Sequence, residues 1–174
     1  MFQKGDMIVY SNSGVCRVED IGPLEGATGA DRHRQYYTLS LLHGDGTIFA
    51  PVDTAVFMRP VLTPDGVNEL IDGLPEIQPS ECTERSLTVL TNTYRAAFDS
   101  HRCEDLLHLM KSIHAKEKDS IKRGKRLGMV DQRYQKKAEE LIYGEFAAVL
   151  DIPYDEVETY IGARLAQLDE AVNI

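Results

Sequence analysis

The chain has 174 residues, 43% of them apolar and 27% charged, with 28 Asp and Glu against 19 Lys and Arg for a net charge of −9. That is the composition of a folded, soluble protein of one domain or two small ones, and no apolar run approaches the ~18–20 residues that span a bilayer. The start MFQKGDMIVY has no apolar signal-peptide core, so a cytoplasmic location is expected, and Cys16, Cys82 and Cys103, odd in number and in no CxxC pair, argue for reduced thiols over a disulfide framework or structural zinc.

The first sixty residues read as strands. Met7–Tyr10 is a short β-rich run after Gly5-Asp6, and Gly14–Ile21 alternates roughly, as a strand with a bulge does. Pro23–Arg34 has loop composition and leads into Gln35–Leu42, a strand rich in Tyr, Thr and Leu. His43-Gly44-Asp45-Gly46 is a hairpin turn, from which Thr47–Val52 returns as a strand, with a last one at Val56–Arg59. Five short strands with tight turns imply a small, strongly bent sheet or barrel of SH3 or Tudor type.

From residue 60 the period becomes helical. Thr63 is an N-cap ahead of Pro64, and Gly73 closes a short helix ending at Ile71-Asp72. Leu74–Glu81 reads as linker. A second helix is expected over Thr83–Asp99 with Leu87, Leu90, Tyr94 and Phe98 as its buried stripe. A third spans about Arg102–Arg123, with Leu106, Leu109, Met110 and Ile113 inside and Ile121 at the thinning end of the stripe, and Gly124 stops it. A fourth runs over Met129–Leu150, burying Ala138, Leu141, Ile142, Phe146, Val149 and Leu150, with Asp131 at its positive end. Pro153 begins a final helix, and the tail after about Leu168 is expected to be loose. The fold class is therefore α+β, a small N-terminal Tudor/SH3-like β-barrel at 1–60 and an all-α helical domain at 61–174.

Charge is distributed unevenly along this plan. Lys111–Lys137 holds ten of the nineteen Lys and Arg and only three acids. Lys111, Lys118, Lys122 and Lys125 fall on one helical line, Lys116, Arg123 and Arg126 on another, and Arg133, Lys136 and Lys137 open the next helix. A face kept this positive in an acidic chain suits a polyanion, nucleic acid first of all, although the net charge makes unaided DNA binding weak. Catalysis has little support: His33, His43, His101, His108 and His114 show no metal spacing, and there is no GxSxG, P-loop or GxGxxG. No enzyme activity and no cofactor or metal is expected.

The order of the pieces resembles the CarD/CdnL family of bacterial regulators that bind RNA polymerase. The matching residues are Phe2 through Tyr10 with Gly14-Val15, the hairpin Gly44 through Val52, and the helical runs Gly124 through Leu127 and Ala138 through Ala147. The resemblance implies that residues 1–60 contact the polymerase β subunit through the third and fourth strands, at positions matched by Leu39, Phe49 and Pro51. Strand alternation lets only one of Ile48 and Phe49 face a small core, which leaves the other as an anchor. The resemblance also implies that the helical domain touches promoter DNA, basic residues holding phosphates while an apolar wedge, typically Trp, enters the minor groove. This chain has no Trp; Leu87 and Leu90 lie near the matching place, and the phosphate contacts fall to Arg95, Lys122, Arg123, Lys125, Arg126 and Arg133, with Lys118, Lys136 and Lys137 on the same basic face. The reading is a non-enzymatic, monomeric transcription regulator that modulates open-complex formation or stability. A protein adaptor on polymerase with no DNA contact is the alternative, and an RNA-binding module is weaker because the barrel lacks a basic groove with exposed aromatics.

Overall fold

The computed structural model describes residues 1–81 and 83–172, so the expectation of a reduced thiol at Cys82 lies outside them, while Cys16 and Cys103 are buried thiols in no disulfide among the described residues, Cys103 donating to the Glu145 carboxylate at 3.5 Å. The chain divides into two compact units, Met1–Leu62 and Thr63 onward.

The first unit is one antiparallel sheet of β1 (Met7–Tyr10), β2 (Gly14–Gly22), β3 (Tyr36–Leu41), β4 (Thr47–Pro51) and β5 (Met58–Pro60), in the order β4-β3-β2-β1-β5. The expected barrel is not closed, because the two ends of that order, β4 and β5, do not pair with each other. The last strand begins two residues later than expected and is only three residues long. The sheet nevertheless wraps one core. Ile8, Cys16, Val18, Tyr37, Leu39 and Ala50 form it, and Ile48 from one edge strand and Met58 from the other both pack against it. The anticipated bulge falls between Val18 and Asp20, where one extra residue bends the strand. Burial pushes the Cys16 thiol up to about 11, which keeps it an inert core side chain at neutral pH.

The second unit contains α1 (Pro64–Asp72), α2 (Leu87–Asp99), α3 (Cys103–Lys122), α4 (Met129–Leu150) and α5 (Val157–Val172). Thr63 caps α1 by accepting the Gly66 N–H at 3.0 Å. The second helix starts four residues later than Thr83, because Ser86 is its N-cap, accepting from Val89 N–H at 3.5 Å. The final helix runs on to Val172 where a loose tail was expected. It is tied to α1 by Arg164 on Asp72 at 2.6 and 2.8 Å and by Tyr160 donating to Asn68 at 2.7 Å, and its Ala, Leu and Glu residues favour continuation. No helix among the described residues is long and apolar enough to cross a membrane.

Candidate interaction surfaces

Two surfaces stand apart from the rest, one in each unit. In the first, β4 is an edge strand. The N–H groups of Leu41 and Val52 donate to the carbonyls of Gly46 and Gln35. In the register that pairs Leu39 with Ile48, Gly46, Ile48, Ala50 and Val52 therefore turn their backbone groups to β3. Antiparallel pairing alternates, so those of Thr47 and Phe49 turn to the open side. Ile48 points into the core while Phe49 is 55% exposed on the outer face. Pro51 is half-buried beside Tyr36, the ring of which lies 5.9 Å from the Arg34 guanidinium. Leu39 is wholly buried, so its side chain supports the β4 face from beneath and offers a partner no surface.

The opposite edge is partly blocked. In β5, Pro60 has no N–H to give, and its carbonyl accepts from the Arg59 guanidinium at 3.1 Å. Proline and charge on an edge are the usual means of refusing a further strand.

In the second unit, ring and charge contacts set the directions of three helices. Tyr94 donates to Asp131 at 2.5 Å and stacks 5.5 Å from Tyr134, Phe98 lies 5.7 Å from Tyr134, and Lys137 sits 5.1 Å over Phe98. The second and fourth helices thus run the same way, and α3 runs against them through the short turn to Met129. The N-termini of α2 and α4 and the C-terminus of α3 meet at one end.

That end is basic. Lys122, Arg123, Lys125, Arg126 and Arg133 are exposed there, Lys118 lies one turn back along α3, and Arg95, Lys136 and Lys137 are exposed further from the end. Gly124, at φ +67°, reverses the chain after Lys122, a conformation that suits glycine. The third helix therefore stops before Lys125, which leaves the expected helical line. Two other lysines are removed from the basic surface. Lys111 donates to the carbonyls of Leu74 and Pro75, satisfying groups beyond the α1 terminus. Lys116 pairs with the buried Asp131 at 2.9 Å, because a carboxylate this deep needs a counter-charge. Some of the remaining cations are partly engaged, Arg123 with Asp119 at 3.2 Å and Lys136 with Glu140 at 4.0 Å.

The same end carries exposed apolar side chains that sequence periodicity misassigned. Leu87, expected in the buried stripe with Leu90, is 65% exposed, and Ile121 is 66% exposed. Both stand in the terminal turn of their helices, where no neighbouring element covers them. Met129 is 86% exposed at the first position of α4. No group of three or more His, Cys, Asp or Glu among the described residues could hold a metal ion.

The geometry defines an α+β protein with one open strand edge and one basic, apolar-studded helix end. Residues 2–62 match the family model described as CarD-like/TRCF RID domain, which covers nearly all of the first unit and is consistent with a CarD-like protein over that stretch. No curated protein matches the chain.

Proposed function

We propose that this chain is a transcription regulator that docks on the β subunit of RNA polymerase through the β4 edge and touches promoter DNA with the basic end of its helical unit. The match of residues 2–62 to the CarD-like/TRCF RID domain carries this reading, because that domain is a protein-interaction module. The open edge supplies the means: a partner strand adds to Thr47 and Phe49 through backbone hydrogen bonds, and the Phe49 ring anchors it, with Pro51 beside it and Leu39 as the floor. Phosphates are held by Lys118, Lys122, Arg123, Lys125, Arg126 and Arg133, with Arg95, Lys136 and Lys137 at the margins. The exposure of Leu87 supports an apolar contact with DNA at that end. Docking raises the local DNA concentration to about millimolar, so contacts too weak for free binding suffice. Binding one promoter state better than another then biases opening or the lifetime of the open complex.

The ion pairs that occupy Arg123 and Lys136 favour a second reading, an adaptor on polymerase that leaves DNA alone. Replacing Lys122, Arg123, Lys125 and Arg126 together with Gln separates the two. Loss of the promoter footprint on purified polymerase, with polymerase binding intact, supports DNA contact; an unchanged footprint and unchanged transcription in vitro leave the adaptor.

A further inference from the structure

The open side of β4 presents two N–H donors and two carbonyl acceptors, those of Thr47 and Phe49 on either side of Ile48. The strand ends there as a template, because Pro51 has no N–H and its carbonyl already accepts from Thr54 N–H at 3.0 Å. A second copy of β4 fits this pattern. Laid antiparallel with Ile48 opposite Ile48, it lets each Thr47 exchange both backbone bonds with Phe49 of the second copy, and every outward group is matched. Moving the axis to Phe49 would set Thr47 against Pro51, which has no donor and an occupied acceptor. In the favoured register each exposed Phe49 ring lies beside Thr47 of the other copy on the outer face, a cross-strand pair of the stabilising kind. The strand TIFAP carries no charge, so two copies meet without repulsion even though each chain has net charge −9.

We infer that the free chain forms a two-fold symmetric dimer by pairing β4 with β4. The dimer uses the edge assigned above to polymerase, so the dimer and the polymerase complex exclude each other. Only this last step rests on the proposed function. The contact is small, so the dimer forms only at high protein concentration.

Sedimentation equilibrium from about 1 µM to about 1 mM tests it, a range suited to so small an interface. The mass should rise from monomer to dimer, with amide exchange at Thr47 and Phe49 slowing in step while Met58 on the other edge is unchanged. Thr47→Pro removes an outward donor without touching the β3–β4 ladder and should stay monomeric with an unaltered melting temperature. If it melts early, Phe49→Lys, which brings like charges across the axis, carries the same expectation. A wild-type chain that is monomeric throughout overturns the proposal, as does a dimer in which those two amides exchange as fast as in the monomer. Added RNA polymerase should dissolve the dimer into complexes holding one chain each. A dimer that persists on polymerase overturns the exclusion and the edge-docking reading together, while the β4 pairing itself would stand.

Discussion

The two surfaces recognise partners by different physics. The β4 edge offers backbone groups and one aromatic ring, with no charge of its own, whereas the helix end offers point charges around a few bare aliphatic side chains. An interaction at the first should tolerate salt, and one at the second should weaken steeply with it, since each phosphate contact displaces about one condensed counterion. The contrast also sets an order of events. Under the proposed function, a surface that needs proximity to act must follow one that does not, so the edge would place the chain before the basic end meets DNA.

That contrast can be broken at four points. The largest effect is expected at the pivot of the helix end, the buried Asp131 held by Lys116 and Tyr94. Asp131→Ala leaves a lysine without its partner and should cost about 3–5 kcal/mol in urea unfolding, with the basic end disordered as a result. Replacing Asp131 and Lys116 together by Leu and Met should cost much less. Next comes the fourfold Gln variant of Lys122, Arg123, Lys125 and Arg126, which should lower the slope of log affinity against log salt by up to about 4 while leaving polymerase affinity unchanged. Phe49→Ala should weaken polymerase binding by about 2 kcal/mol at any salt concentration, with stability held, as measured by titration calorimetry against the purified enzyme. Equal losses for both variants at all ionic strengths would erase the distinction between the surfaces.

The smallest effect concerns the acidic side of the helical unit. Burial, then Glu158 and Glu140, hold the Glu139 carboxyl above its ordinary range, and burial with the nearby Glu139 and Glu158 carboxylates pushes the Tyr143 hydroxyl up to about 12. A carboxyl raised in the folded state contributes stability below its unfolded pKa and loses it as pH rises through the folded one. Glu139→Gln should therefore stabilise at neutral pH by less than about 1 kcal/mol, given the exposure of the site. The gain should vanish in acid; a melting series from pH 4 to pH 8 reads the difference.

Much of this was written in the order of residues. Asp and Gly at the turn marked the hairpin, and Gly124 marked the end of α3. Alternation in Thr47–Pro51 required one of Ile48 and Phe49 to stand outside the core, and it is Phe49 that does. What local pattern could not carry were contacts between distant residues. Lys116 and Tyr94 both reach Asp131 across helix boundaries, so counting charges overstated the free ones. Leu87 kept step with a buried stripe yet sits in a first turn that nothing covers, since periodicity records direction around a helix but not how far its neighbours extend. The closed barrel failed for a related reason: strand number alone does not say whether the two end strands find each other, and three residues ending in a proline offer little to find.

That proline has a further consequence for stoichiometry. With Pro60 lacking a donor and Arg59 occupying its carbonyl, only Met58 offers outward backbone groups on that edge, so the sheet grows more readily from the β4 side. A chain with two equally receptive edges could string into fibres, whereas here a partner on β4, polymerase or another copy under the proposals above, would leave only a poor edge from which to extend the assembly.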